Sequence, residues 1–573
     1  MCAGAYALRA GIECSDRFSR SNVPMAEHDL QSVAFPRLDQ AQISALAGCA
    51  ATSLVRYKAG QKLFQAGDRD YRFFVIQSGE IEIVDESGDA PKTIAVHGAG
   101  EFTGEMGQLT GRPAVASAVA RTDSEVYEVT TEALRQIVNR CPEVGDVILQ
   151  AFIARRQLLR ESGAFTGIRV IGSRYSHDIF RIRDFLARNR ALFTFLDLET
   201  NPEVEQLLRR FGLSVRDTPV VAWGRQLVLR NPSNREIAEA LGLRRPLEQT
   251  VYDLAIVGGG PGGLAASVYG ASEGLSTVVL ERTAPGGQAG ASMRIENYLG
   301  FPTGINGGEL AERAIVQANK FGATLSVATP VVSLSFDNAY SVLALEGGET
   351  VVAKCLLIAT GAEYRRLDVE GCAQFEGSGV YYAATPNEVQ LCKGANVVIV
   401  GGGNAAGQAA VYLSRYARKV YLLIRGNDLY KSMSAYLAHR IEQTPNIQVL
   451  LNTTVRRMSG DGHLASVEIV NNETGETRTI ETPAVFSFIG ASPHTDWLPP
   501  EIERDEKKFV RTGPAMSQST HWRVRRQPFL LETSRPGVFA AGDVRSGSVK
   551  RVASAVGEGA MAVQFVHEYL KEM

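Results

Sequence analysis

The sequence predicts a multidomain protein: an antiparallel β-roll at the N-terminus, a small α/β module after it, and a large C-terminal region of two three-layer α/β domains. Three observations carry this. Short apolar–polar alternations broken by glycine turns run through the first segment, from about Phe35 to Leu159. Strand-like and helix-like patterns alternate from Ile168 to Leu243. Two glycine-rich turns, Gly258-Gly259-Gly260-Pro261-Gly262-Gly263 and Gly401-Gly402-Gly403-Asn404-Ala405-Ala406, each follow an apolar run and open a helix-like segment, which is the Rossmann-like pattern.

The bulk properties agree with such a chain. Its 573 residues suffice for several domains, at roughly 100–200 residues each. A formal net charge of −2 argues against a dominant nucleic-acid or anionic-membrane surface. No apolar run approaches the roughly 18–20 residues that span a bilayer. Residues Met1 to Ser19 are interrupted by Arg9, Glu13 and Asp16 and do not read as a signal peptide, and Met25 is an alternative start. The 7 cysteines are scattered and odd in number, which fits buried or free thiols in a cytoplasmic protein. The histidines show no metal-ligand spacing, so no metal is expected.

In the first segment, Phe73-Phe74-Val75-Ile76, the Ser78-Gly79 turn and Glu80 to Val84 read as a hairpin of the roll, and Leu134 to Leu159 as one helix ending in the charged stretch Ala154-Arg155-Arg156-Gln157. With Gly60-Gln61-Lys62-Leu63-Phe64, Gly67-Asp68 and Gly100-Glu101-Phe102-Thr103-Gly104-Glu105, this segment resembles the cyclic-nucleotide-binding domain. The resemblance implies that Glu105 stands at the ribose-binding position. It puts Ala114 where the phosphate-binding arginine belongs, with Arg112 two residues early. The expectation is a β-roll kept for docking or dimerisation, cyclic nucleotide binding being the alternative.

In the second segment, strands at Ile168–Ile171 and Ala191–Leu198 bracket a helix through Phe180, Phe185 and Leu186. A helix near Val204–Phe211, Thr218-Pro219-Val220-Val221, Leu227-Val228-Leu229 and a helix at Ser233–Leu241 follow. This order resembles thioredoxin or glutaredoxin, which implies a cis peptide at Pro219. The redox cysteines belong just after the first strand, where Ser173-Arg174-Tyr175-Ser176 stands instead. Hydroxyls cannot exchange disulfides, so the module is expected to be redox-inactive and to serve as a structural or protein-binding element.

The third segment carries the chemistry. Gly258, Gly260 and Gly263 follow the strand Tyr252–Val257 as G-x-G-x-x-G, with Pro261 inside the motif. Glu281 ends the next strand at the distance expected of the acid that accepts ribose hydroxyls. The glycines permit close backbone approach, and the helix N-terminus suits a pyrophosphate. The second motif, with Gly401, Gly403, Asn404 and Ala406, makes two dinucleotides in one chain the natural reading, usually a flavin and a nicotinamide.

Beyond the glycines, residues 250 to 570 resemble the low-molecular-weight thioredoxin reductase family. Gly286-Gly287-Gln288 and Ile295-Glu296-Asn297-Tyr298 look like its flavin-contacting loops, Ala359-Thr360-Gly361 like its strand crossing, and Gly542-Asp543 with Arg551-Val552-Ala553 like its late motif and helix start. The resemblance implies FAD held by Gly258, Gly260, Pro261, Gly263, Glu281, Gly287, Gln288, Asn297, Thr360, Gly361, Gly542, Asp543, Arg551, Val552 and Ala553. It also implies a nicotinamide dinucleotide on Gly401, Gly403, Asn404, Ala406 and Arg425. Arg425 follows the strand Val420–Ile424 where an acid would repel a 2′-phosphate, so NADPH is favoured over NADH. The family's second arginine is Gly426 here, with Lys431 a positional substitute.

The resemblance further implies a C-A-T-C dithiol where this chain has Ala383-Ala384-Thr385-Pro386; Ala383 and Pro386 occupy the cysteine positions. Cys392 and Cys372 lie nearby, and both are read first as structural cysteines. The expected boundaries are a structureless tail at 1–30, a cyclic-nucleotide-binding-like domain at 31–165 and a thioredoxin-like domain at 166–245. An FAD-binding domain split between 250–366 and 490–573 then encloses an NAD(P)H-binding domain at 367–489. The expected function is an FAD-dependent NAD(P)H oxidoreductase that delivers electrons from the flavin to a quinone, oxygen or a redox protein, as a family-based homodimer. Two alternatives stay open: a flavin-based redox or nucleotide sensor, and a disulfide reductase using Cys392 or a partner's dithiol.

Overall fold

The computed structural model describes residues 27–49, 52–86, 91–162, 167–201, 204–223, 227–384, 388–389 and 392–573. The expected tail lies outside the described residues as far as residue 26, and so does Pro386; its last residues, 27–30, are not structureless but open the helix Glu27–Ala34, whose Leu30 and Ala34 are buried against Ala154.

Two antiparallel sheets form the N-terminal roll. One has the order Thr52–Tyr57, Ser124–Val129, Phe73–Ser78; the other Lys62–Phe64, Ser117–Ala120, Ile81–Asp85, Lys92–His97. Alternation brings Phe73, Val75 and Val129 inward against Phe102 and Phe152, whose rings meet edge to face 6.4 Å apart. Glu105 caps the short helix Met106–Thr110 by accepting the Gly107 N–H at 2.6 Å, and Gly111 ends it at φ 68.

The single helix expected from Leu134 to Leu159 is two, Thr131–Arg140 and Pro142–Ser162. Proline lacks an N–H and drives the preceding residue out of the α region, and Cys141 accordingly sits at φ −122, ψ 75. Arg155 and Arg156, which read as a charged stretch, are buried. Arg155 donates to the carbonyls of Ala34, Gly104 and Phe102, and its guanidinium lies 4.8 Å from the Phe102 ring centroid. Cys141 is disulfide-bonded, whereas Cys355, Cys372 and Cys392 are free and buried.

The small module is a four-stranded sheet of order Leu227–Arg230, Val220–Trp223, Ile168–Gly172, Phe193–Asp197, parallel only in its last pair. The helix His177–Arg188 covers it with Ile179, Ile182, Phe185 and Leu186, and the Thr218–Pro219 peptide is cis.

The first large domain is a seven-stranded sheet. Its parallel core runs Thr324–Val327, Thr277–Glu281, Tyr252–Val257, Thr350–Ile358; the far edge of Thr350–Ile358 is shared by Val538–Ala540, parallel to its end, and by the antiparallel pair Tyr340–Leu345 and Val331–Asp337 at its start. On one face the helices Pro261–Ser272 and Val552–Glu572 cross so closely that a Cβ at Gly559 would lie 2.0 Å from the Gly262 carbonyl. The second domain is a five-stranded parallel sheet of order Val380–Tyr381, Val485–Ser487, Asn396–Val400, Lys419–Leu423, Ile447–Leu450 beside a three-stranded antiparallel sheet. Two short paired strands, Ala362–Tyr364 and Ala491–Pro493, carry the chain out to it and back. The carboxyl ends of the parallel strands of the first domain therefore converge on one cleft, as ligand sites of open α/β sheets do.

Candidate active site

A cleft of about 770 Å³ opens at these strand ends. Its floor is the first glycine turn. Gly258 stands at φ 105, where a Cβ would lie 2.4 Å from the Ala359 carbonyl, so the turn and the neighbouring strand crossing are locked together only because no side chain intervenes. Gly260 caps the Pro261–Ser272 helix and has open space where its Cβ would be. Gly263 lies behind the cleft, against the Gly258 carbonyl, and serves helix–strand packing.

Glu281 lies at the cleft wall. One oxygen accepts the Gly259 N–H at 2.6 Å and the other those of Thr283 and Ala284 at 2.8 and 3.1 Å, so the carboxylate shapes the turn it faces. Burial pushes its carboxyl above the usual range; the backbone donors and Arg188 pull the other way. At the far wall, Gly542-Asp543 forms a tight turn whose Gly542 N–H donates to Glu558 at 2.6 Å. Asp543 is also raised by burial, with Lys550 opposing. Arg551 and Val552 bring the N-terminus of the 21-residue helix Val552–Glu572 to the cleft, a ready anion-binding end.

Gly287, Gln288, Thr360 and Gly361 also line the cleft; Gln288 donates to the Ala362 carbonyl, and Thr360 to the His494 carbonyl at 2.9 Å. Two expected residues stand apart: Asn297 and Ala553 are exposed and outside the lining.

The second domain closes the cleft with Tyr382, Ala383, Ala384, Gln408, Tyr412 and Phe488. Ala383 is thus beside the cleft with a methyl group where the resemblance called for a thiol. Cys392 is 0% exposed, and burial, with Glu388 adding, pushes its thiol up to about 12. Cys372 is buried among Phe375, Val380 and Met458. Of the second glycine motif only Ala405 lines this cleft; its glycines, Asn404 and Ala406 lie outside the lining. Gly401, at φ 143, passes 2.5 Å (as a Cβ would) from the Phe488 carbonyl; Gly403 caps the helix Asn404–Leu413; Asn404 accepts the Ser434 N–H at 2.7 Å; Ala406 is buried. Arg425 and Lys431 are exposed beyond the Lys419–Leu423 strand. Arg440 ties this domain to the first through both oxygens of Glu296, at 3.1 and 3.0 Å.

Sequence reasoning missed several lining residues. Arg188 reaches the cleft from the small module, and the next two residues, Asn189 and Arg190, lie outside the cleft at a junction of three modules. The Asn189 side chain donates to the Thr283 carbonyl at 2.9 Å, while its own carbonyl accepts from Arg112 at 3.0 Å. Arg190, in the left-handed region at φ 56, donates to Asn306 at 3.1 Å and its carbonyl accepts from Arg156 at 3.0 Å. In the roll, Glu105 faces Arg156 at 3.6 Å, and Arg156 also pairs with Glu312 of the first large domain at 3.0 Å. Ala114 is buried in the roll's core beside Phe64 and Tyr71.

Residues 252–559 match the family model of the pyridine nucleotide-disulphide oxidoreductases, and residues 54–141 that of the cyclic nucleotide-binding domain. The chain is 35% identical over 322 residues to a thioredoxin reductase of Treponema pallidum (strain Nichols), covering 56% of this chain and 98% of the relative. To a thioredoxin reductase of Bacillus subtilis (strain 168) it is 32% identical over 327 residues, covering 57% and 97%. Among solved structures it is similar to Lactococcus lactis thioredoxin reductase in its FR conformation (TM-score 0.51, 28% identity, 56% of this chain and 100% of that one). It is also similar to T. acidophilum thioredoxin reductase (TM-score 0.50, 31% identity, 56% and 99%). Among the described residues, no helix is long and apolar enough to cross a membrane.

Proposed function

The chain belongs to the pyridine nucleotide-disulphide oxidoreductase family, and from that membership we propose that it is an FAD-dependent NAD(P)H oxidoreductase of thioredoxin reductase-like type whose flavin serves its acceptor without a dithiol of the chain's own. The observation that carries this reading is the shared cleft. One cavity joins the first glycine turn, Glu281, Asp543 and a helix N-terminus to a second-domain wall in which Ala383 and Ala384 stand and, among the described residues, no cysteine does.

The residues fit FAD. Gly258 and Gly260 leave the backbone of the turn bare, with open space in front of Gly260, and the volume of about 770 Å³ suits a large cofactor. Gly258, Gly260 and Pro261 would hold the pyrophosphate, Glu281 the adenosine ribose, Asp543 the ribityl chain, and Arg551 and Val552 the negative charge near their helix end. Gly287, Gln288, Thr360 and Gly361 would wall the isoalloxazine side. FAD, when bound, supplies the chemistry of accepting a hydride and releasing electrons. The protein's own groups position and insulate it: Glu281 fixes the turn through three N–H bonds, Phe488 and Tyr364 close the cleft with rings meeting edge to face at 5.7 Å, and Arg440–Glu296 sets the two domains against each other. Gly401, Gly403, Asn404, Ala406 and Arg425 are assigned to NADPH, with NADH second.

In the same reading residues 166–245 are a thioredoxin-like module without redox chemistry. Ser173 donates to Glu199 at 2.6 Å and Arg174 pairs with Asp197, where a dithiol would stand. Electrons then go to a quinone, to oxygen or to a redox protein. The test is anaerobic addition of NADPH, then NADH, to the flavin-loaded protein, followed by each acceptor class. Bleaching by NADPH, and recovery of colour with one class, is expected; a bound flavin that does not bleach sinks the proposal.

One observation favours a second reading, a sensor. The segment 188–190 connects Arg112 and Arg156 of the roll to Thr283 and Asn306 beside the cleft. Negligible turnover with every acceptor, together with NADPH-dependent partner binding, would select it.

A further inference from the structure

A second cavity, of about 50 Å³, lies where the roll, the small module and the first large domain meet. It is separate from the place that cyclic nucleotides occupy in the roll's family, for Thr110 and Arg112 line it and Glu105 and Ala114 do not. Its lining is rich in arginine. Arg112, Arg156, Arg188, Arg190 and Arg245 line it with one carboxylate, Glu312, which Arg156 holds at 3.0 Å; from outside the lining Glu105 faces Arg156 at 3.6 Å and Asp184 holds Arg188 at 2.9 Å.

Arg245 is the decisive residue. Its guanidinium lies over Gly111, where an added Cβ would be 3.3 Å from Nη2. Nη2 is fully buried and has no acceptor among the described residues. Burial pushes the group down to about 10, and the charge acting on it, Arg135, is another cation that pushes the same way. A buried guanidinium without a counter-charge costs several kcal/mol, and water would bridge the donor without neutralising it. Two residues that line the same cavity also carry buried acceptors without donors among the described residues: Oδ1 of Asn189 and Oδ1 of Asn319. Their amide nitrogens are spoken for, by the Phe185 and Thr283 carbonyls and by the Ile315 carbonyl respectively, so the orientation of both amides is fixed.

The ligand must therefore carry negative charge and also donate hydrogen bonds. Chloride and sulfate meet the first condition only. Phosphate meets both near neutral pH, because it keeps at least one P–OH. The volume exceeds the roughly 10–15 Å³ that one water needs and has room for a single tetrahedral oxyanion, with little beyond it. We propose that this three-module cavity is a binding site for inorganic phosphate, held by Arg245 and the amide oxygens of Asn189 and Asn319. Such a ligand would join the roll, the small module and the first large domain through one charge.

The test is calorimetry and thermal melting of the full chain with inorganic phosphate, sulfate and chloride at constant ionic strength. The expected result is saturable phosphate binding at least about tenfold tighter than sulfate, with a saturable rise in melting temperature. Arg245→Met should melt at or above the wild-type temperature without phosphate, since it removes an unpaired charge, and should lose at least about tenfold in phosphate affinity. Asn319→Leu provides a second reading: it should erase the preference for phosphate over sulfate. No phosphate binding by wild type, or binding unchanged in both variants, overturns the site. Glycerol phosphate binding more tightly than free phosphate overturns the assignment to the free ion.

Discussion

Replacing Cys392 by alanine asks whether the thiol that follows Ala383-Ala384-Thr385-Pro386 in the chain takes part in electron transfer. The side chain is 0% exposed, and burial holds its thiol up near 12. At pH 7 that leaves about one molecule in 10⁵ as thiolate, against a few per cent for a free cysteine of ordinary pKa. Since the thiolate is the nucleophile, the reactive fraction is about a thousandfold below that of a free cysteine before access is considered. Cys392→Ala should therefore change NADPH-dependent turnover by less than about twofold with any acceptor. The missing sulfur should cost about 1 kcal/mol of stability, visible as a slightly lower melting temperature. The assay is anaerobic turnover with a disulfide and with a quinone, alongside alkylation of the native protein, which should leave Cys392 unmodified. A loss of tenfold or more in turnover with the disulfide, at unchanged melting temperature, would refute the reasoning and restore Cys392 to the mechanism.

Other expectations follow from the same structure. Gly258→Ala forces a side chain into positive φ, at about 1–3 kcal/mol, and against the Ala359 carbonyl; flavin content after purification should fall at least tenfold with a lower melting temperature. Gly260→Ala, whose Cβ meets nothing and whose φ is −69, should melt like wild type yet lose flavin affinity, which flavin fluorescence reads directly. Arg425→Gln should raise KM for NADPH about tenfold and leave KM for NADH unchanged, because only the 2′-phosphate needs the guanidinium. Alkali should destabilise the fold. Burial raises the thiols of Cys392 and Cys355 and the phenol of Tyr381, so above pH of about 9 the unfolded chain loses protons that the folded chain keeps. Stability is complete below that pH and falls above it by about 1.4 kcal/mol per buried thiol per pH unit; denaturant melts at pH 8 and 10 measure the slope.

What was legible in the sequence is what is encoded locally. The glycine turns and Glu281 at the end of its strand depend on contacts a few residues long or on one repeated pattern, and the structure places them as those patterns require. The hairpin expected at Ser78-Gly79 is instead a crossing between sheets: Phe73–Ser78 pairs with Ser124–Val129, and Ile81–Asp85 pairs with Ser117–Ala120 and Lys92–His97, partners distant in the chain. The broken helix was legible in principle, because Pro142 announces it; the apolar periodicity on both sides masked the proline. Arg155 and Arg156 read only as part of a charged stretch because their burial depends on carbonyls of Ala34, Phe102, Gly104 and Arg190, all far away in the chain. The junction at 188–190 has no sequence signal at all: its partners, Arg112, Arg156, Thr283 and Asn306, belong to other modules. Asn297 came from a motif whose neighbours Met293, Arg294 and Glu296 do line the cleft, so the loop was placed and the individual side chain was not.

If no dithiol of this chain stands beside the flavin to share its electrons, counting electrons will show it. Flavin-loaded protein is titrated with NADPH without oxygen while the flavin absorbance is followed to its end point. Complete bleaching at about one NADPH per flavin is expected, because no cysteine among the described residues lines the cleft to take the two electrons and the Cys141 disulfide lies in the roll. An end point near two NADPH per flavin, or bleaching that reverses until a second equivalent is added, would reveal another two-electron acceptor within the chain and contradict it.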